Sequence, residues 1–277
     1  MAVVLALVTA LVYGAADFAG GLAAKQARAL LVVGLSQAVG LLVALVLAGP
    51  LGGSPSRVDL AWGAAAGATG FLAVALFYRA LADGSMSVVA PVTAVCAAAV
   101  PVAAGLALGD RVGVAGLFGV ALALIGVALV SADTAPGRGG GRARTLGPAL
   151  VAGTGFGCVF VLLHQTSPGS GLWPLVAARV ASLLILAAVL TVGCTPPVRP
   201  RAAAGLIVAA GAGDMIANVL YLLAVRRGQL SVVGLLSSLY PVSTVVLAQL
   251  ILRERLARVQ AVGVATCAVA VVLIATS

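Results

Sequence analysis

The chain has 277 residues, 62% of them hydrophobic and 8% charged, with a formal net charge of +9 and a mean hydropathy of +1.22. A soluble domain carries about 25% charged residues, so a water-facing surface is excluded for most of this chain and lipid is its solvent. The basic excess does not signal nucleic acid: Lys and Arg stand singly or in small groups between apolar runs, without interleaved aromatics, as charges flanking membrane spans do.

About 20 apolar residues carry an α-helix across the hydrocarbon, and runs of that size predict ten spans. The first, 2–22, has no basic residue ahead of it, contains Asp17 and is followed by more such runs, so it reads as a span rather than a signal peptide. Thr9, Tyr13 and Asp17 are spaced by four and share one helix face. That stripe is either a polar cavity wall, with Asp17 as a proton or cation site, or an interfacial carboxylate that snorkels or pairs with Lys25. Spans 29–48 and 60–81 are parted by Gly52-Gly53-Ser54-Pro55, and Gly63, Gly67 and Gly70 mark a close helix contact in lipid. Spans 86–108 and 112–131 are parted by Asp110-Arg111, with Gly113, Gly116 and Gly119 as a second small-residue face. The stretch 133–147, with Arg138, Arg142 and Arg144 among glycines, reads as a flexible linker.

Span 146–164 ends on the sole histidine, His164, read as interfacial. Span 172–193 carries Arg179 and span 202–225 carries Asp214, with Asn218 and Tyr221 on the same face at plus four and plus seven. Charges at membrane depth are costly and face a bundle interior or wet cavity. At about 1.5 Å per residue, Arg179 and Asp214 lie roughly 12 and 16 Å from one membrane face. A structural ion pair and a substrate or proton site are both open, and a pair that breaks on substrate binding would combine them. The last two spans are 230–252 and 257–276, and in spans four and nine Pro91, Pro101 and Pro241 loosen the backbone. Carbonyls freed by proline must be re-satisfied or line a cavity, so Ser87, Ser231, Ser237, Ser238, Tyr240 and Ser243 are candidate lining residues.

The chain repeats itself at a distance of 144 positions. Ala80, Gly84, Ser87, Val88 and Val89 recur as Ala224, Gly228, Ser231, Val232 and Val233; Leu108, Arg111 and Gly119 recur as Leu252, Arg255 and Gly263, with Asp110 answered by Glu254. The halves are 1–132 and 148–277, each of five spans. An odd span count turns the second half upside down, so the expected fold is an all-α membrane protein of two inverted five-helix repeats, with Asp110 and Glu254 on opposite faces. Loops one, three, five, seven and nine hold eleven basic residues and the even loops four. The positive-inside bias then puts both termini outside.

These features resemble the EamA-type members of the drug/metabolite transporter superfamily. The residues that carry the likeness are Leu108-Gly109-Asp110-Arg111 with Gly116 and Gly119, and Leu252-Arg253-Glu254-Arg255-Leu256 with Gln260 and Gly263. The junctions from Tyr78-Arg79-Ala80-Leu81 to Ser87 and from Leu222-Leu223-Ala224 to Ser231 add to it, as does Arg179; Gln37 departs from the Arg often found in span two. The resemblance implies a secondary transporter, an exporter of a small organic metabolite or drug across the cell membrane, and places both termini in the cytoplasm, against the charge count. On this reading Tyr13, Asp17, Arg179, Asp214, Asn218 and Tyr221 are the substrate- or proton-binding candidates. The partners it implies are a small-molecule substrate, the bilayer and protons, in a monomer or homodimer. A channel, a uniporter or a non-transporting membrane partner remains the alternative. The sequence offers no Walker A, G-x-S-x-G or H-E-x-x-H pattern, so neither an ATP site of that kind nor an intramembrane hydrolase is expected. Cys96, Cys158, Cys194 and Cys267 lie far apart, without metal spacing, and no cofactor is expected.

Overall fold

The computed structural model describes residues 1–83, 86–110, 113–130, 139–192, 201–252 and 258–275. Among the described residues every regular element is helical: α1 (Ala2–Gln26), α2 (Ala29–Leu51), α3 (Arg57–Asp83), α4 (Met86–Ala107), α5 (Val114–Val130), α6 (Gly139–His164), α7 (Trp173–Val192), α8 (Ala204–Val225), α9 (Leu230–Ser237), α10 (Tyr240–Leu252) and α11 (Arg258–Ala275), with short 3-10 turns at Pro168–Ser170 and Arg201–Ala203. Seven segments are long and apolar enough to cross a membrane, the seventh running from Leu230 to Ile251 through α9 and α10. Two shorter apolar stretches, Val92–Ala107 and Val114–Gly126, fall in the expected fourth and fifth spans. The outward side chains are those lipid solvates best: Leu11, Leu42, Val46, Leu72, Phe118, Leu184 and Leu250 are all exposed.

Two elements differ from the expectation. The ninth span is two helices, interrupted at Ser238 and Leu239. Pro241 stands in the first turn of α10, where its missing N–H is tolerated, and the bonds around the break shorten to i→i−3, from Leu239 N–H to Leu236 O and from Val242 N–H to Leu239 O. Pro91 and Pro101 do not break α4, which runs through both. The sixth helix starts at Gly139, inside the stretch read as linker; Arg138 and Asp133 lie outside the described residues.

The helices pair across the two halves of the chain. α1 packs on α8, and α3 on α6; α2 meets α8, and α3 meets α7; α4 lies on α6, and α1 on α9 and α10. Each pairing has its exchange partner when first-half and second-half helices trade places. α2 with α7, α4 with α9, and α5 with α11 exchange into themselves. Small residues set these distances. A Cβ added to Gly63 or Gly67 of α3 would collide with the carbonyl oxygens of Pro174 and Ala178 in α7, and one on Gly211 of α8 would collide with the Ser36 carbonyl in α2. Backbones this close gain the dispersion contacts that hold helices together in lipid. Cys96 and Cys158 are half-buried free thiols. The side chain of Cys267, and Cys194 altogether, lie outside the described residues.

The face that carries the N-terminus is laced by hydrogen bonds. Ser56 and Asp59 form a capping box at the start of α3: Ser56 N–H and Oγ donate to Asp59 Oδ2 at 2.9 and 2.7 Å, and Asp59 N–H returns to Ser56 Oγ at 3.1 Å. The same carboxylate accepts from Ser167 N–H and Oγ, at 2.7 and 3.0 Å, in the α6–α7 loop. Asp110 reaches across to α9, accepting from Ser231 N–H and Oγ at 2.9 and 2.8 Å. The expectation that Glu254 mirrors Asp110 falls on a residue outside the described ones.

Candidate functional site

A cavity of about 70 Å³ opens between the halves, lined from α1, α2, α3, α6, α7, α8 and α10. At 10–15 Å³ per water this is room for roughly five waters. Its polar wall is Tyr13, Asp17, Ser36, Gln37, Tyr78, Arg179, Ser182, Asp214, Asn218 and Tyr240. Three of the chain's four tyrosines stand on it, together with Phe156 and Phe160. That is a concentration of aromatics in a chain where they make up 4%.

Arg179 is the centre of the polar wall. Its Nη2 donates to Asp214 Oδ2 and its Nη1 to Gln37 Oε1, so α7 is tied to α8 and α2 at one atom cluster. Among the described residues this is the one ion pair; the arginine side chain is 10% exposed and the aspartate 28%. Arg179 Nε is buried without a partner. One turn further on α7, Ser182 Oγ donates to the Gly67 carbonyl at 2.8 Å, which fixes the rotation of α7 against α3.

Asp17 faces the same cavity from α1. No hydrogen bond or ion pair from another described residue meets its carboxylate, and Asp214 is near enough for the two charges to repel. Lys25 is exposed, eight positions further along the same helix, so the interfacial pairing is not formed. A carboxylate away from bulk water without a partner must take up a proton or a cation, or pay a desolvation penalty of several kcal/mol. Tyr240, whose hydroxyl is buried and unpartnered, stands close enough to feel the Asp17 charge. Tyr13 bridges the aromatic wall, with ring centroids 6.1 Å from Phe160 and 6.4 Å from Tyr240.

One candidate stands behind the cavity wall. Tyr221 is fully buried and does not reach the cavity. Its ring stacks behind Phe160 at 4.4 Å and its hydroxyl donates to the Phe160 carbonyl at 3.0 Å. It supports the wall rather than forming it. Asn218 does line the cavity, with Nδ2 donating to the Asp214 carbonyl at 2.8 Å. Of the serines expected to line it, Ser231 is taken up by Asp110, Ser238 by the Gly234 carbonyl, and Ser243 by the carbonyls of Ala10 and Tyr240. Ser237 is buried at the α9–α10 break with its hydroxyl unpartnered, Ser87's side chain lies outside the described residues, and Tyr240 alone of the set lines the cavity. His164, at the end of α6, is half-buried and not part of the site.

Sequence reading missed Ser36, Tyr78, Phe156 and Phe160. Tyr78 carried a signal, since it opens the Tyr78-Arg79-Ala80-Leu81 junction; the others sit in apolar runs with nothing to set them apart. Gln37 was singled out only as a departure from arginine, and proves to be Arg179's second partner. Among the described residues no group of three or more His, Cys, Asp or Glu side chains is assembled.

Comparison with known proteins gives three findings. The model of the EamA-like transporter family matches residues 1–132 and again 144–276. A solved structure titled only "Crystal structure of protein" superposes with a TM-score of 0.74 at 17% identity, covering 98% of this chain and 95% of that one. A similarity at that identity speaks for the fold alone. No curated protein matches the chain.

Proposed function

The chain belongs to the EamA-like transporter family, and from that premise we propose that it is a secondary transporter, an exporter of a small organic solute, working by alternating access with Asp17 and Asp214 as its proton or cation site. Membership of the family makes it a multi-pass membrane protein that handles small molecules and not an enzyme. Direction, coupling and site are the proposal. The observation that carries it is the cavity between the halves, where an unpartnered Asp17 faces an Arg179–Asp214 pair. Transporters built of inverted repeats bind at the repeat interface near the bilayer midplane, and the exchange-related helix pairing supports that architecture, with ten spans in two repeats joined through 133–147.

In this mechanism the Arg179–Asp214 pair and Gln37 hold α2, α7 and α8 together while the cavity is empty. A solute with a cationic group competes with the proton on Asp17 and weakens Asp214's hold on Arg179. Differential contact of this kind is what lets a ligand shift a two-state equilibrium. Tyr13 and Asn218 shape the site, with Tyr221 behind them. The loops richer in basic residues face the cytoplasm in the cell membrane.

The test is flux in proteoliposomes loaded with a pH dye and challenged with pooled amino acids, nucleosides and cationic drugs. The expected result is a pH change specific to one pool and lost in Asp17→Asn. Normal flux in folded Asp214→Asn would sink the assignment of that residue. Downhill, non-saturating flux without a pH signal would favour a pore.

A further inference from the structure

We propose that Asp59 and Arg226 are positioning residues of the transport cycle: they form a one-sided clasp that biases the molecule to rest closed at the face carrying the N-terminus. The inference rests on the alternating-access reading above and adds to it a difference between the two faces.

Two sets of contacts join the halves at this face. The first is Asp110 with Ser231. Both members recur in the repeat, as Glu254 and Ser87, so the sequence provides this pair twice, once for each face. The second set has no such counterpart. Asp59, 4% exposed, takes four hydrogen bonds, two from Ser56 beside it and two from Ser167 in the other half. Ser54 N–H donates to the Gly169 carbonyl at 2.9 Å. Gly53, with φ +119°, lies so close that an added Cβ would stand 2.7 Å from Gly171 N. From the far side Arg226 Nη2 donates to Ser167 O, Ser170 Oγ and Gly171 O at 3.0, 2.9 and 2.9 Å. The α6–α7 loop is thereby fixed in the shape that Asp59 binds.

Moved by 144 positions, Asp59 falls on Ala203 and Arg226 on Ala82, and the α1–α2 turn that answers to the α6–α7 loop is Ala27-Arg28, without a serine. No carboxylate occurs anywhere from Thr195 to Gly213, the stretch that leads into α8 as 51–69 leads into α3. If the cycle exchanges the roles of the two halves, the opposite face closes without this clasp. Charge-assisted hydrogen bonds are about twice as strong as neutral ones, so their presence on one face alone tilts the resting equilibrium toward closure there.

The test reads sidedness and needs no substrate. In a background with Cys96, Cys158, Cys194 and Cys267 changed to Ala, Ser36→Cys places a thiol on the cavity. Its labelling by a membrane-impermeant maleimide is timed from each face, in right-side-out and inverted vesicles. Asp59→Ala should raise the rate from the N-terminal face about tenfold, the scale of one lost charged hydrogen bond, without raising it from the opposite face. Arg226→Ala should do the same, and the milder Ser167→Ala should shift the ratio in the same direction by less. A Ser56→Cys, Ser167→Cys disulfide should stop labelling from the N-terminal face until it is reduced. Equal acceleration from both faces would mean general loosening and would overturn the proposal. So would an unchanged ratio in all three variants; if wild type still alternates between faces, the alternating-access reading survives that result. If crosslinking leaves labelling from both faces unaltered, that reading falls as well.

Discussion

Arg179 is the one basic residue placed far from every predicted loop, and its surroundings explain how it is tolerated. Removing one partner of a buried pair leaves the other charge uncompensated and costs about 3–5 kcal/mol. Arg179→Ala should therefore lower the thermal midpoint in detergent, and Arg179→Leu combined with Asp214→Leu should be more stable than either single change. Tyr221→Phe removes one neutral hydrogen bond, worth about 1 kcal/mol, and should leave flux kinetics near wild type, because the hydroxyl points at Phe160 and away from the cavity. Depth arithmetic was enough to bring Arg179 and Asp214 together from sequence. Helical spacing grouped Tyr221 with them. Helical periodicity fixes the azimuth of a residue, and Tyr221 does share a face with Asp214 and Asn218, but the cavity ends before it, where Phe160 fills the space. A phenylalanine in an apolar run gives no sign of that.

At the scale of the helix, spacing and hydropathy recovered most of the described elements to within a few residues, because a lipid-exposed helix must be apolar for its whole length. They did not recover the break between α9 and α10, since hydropathy runs unbroken from Leu230 to Ile251. Pro241 was the signal, and it set the start of a helix rather than a bend within one. Pro241→Ala should join α9 to α10 and slow turnover at saturating substrate, with apparent affinity little changed; initial-rate flux over a range of solute concentrations separates the two. At the α3–α7 contact Gly67→Val has no room against the Ala178 carbonyl. Loss of the monodisperse peak in size-exclusion chromatography is the expected outcome.

For the whole molecule, the internal repeat was the most informative thing in the sequence, and the family model matches the chain twice, over 1–132 and 144–276. What it left open was which helices meet. Pairing of α1 with α8 and α3 with α6 depends on where loops return in space, and a repeat distance does not encode that. The orientation of the whole is a separate question, since loop charge and family likeness point opposite ways. Labelling single cysteines placed at Gln26 and at Gly49, which are exposed at the two ends of the second span, distinguishes them: the positive-inside count expects Gln26 in the cytoplasm.

The meeting of the Gly52–Gly53 turn with Gly171 has a practical consequence for anyone mapping that topology with epitope tags. By hydropathy the α2–α3 turn is an inviting insertion point, short, polar and between two helices. A tag placed there would prise apart two backbones already in contact, and its failure to express would be misread as evidence of a buried or untranslocated segment. The α1–α2 turn at Gln26–Arg28, where Gln26 and Arg28 are exposed, is the place to put the tag.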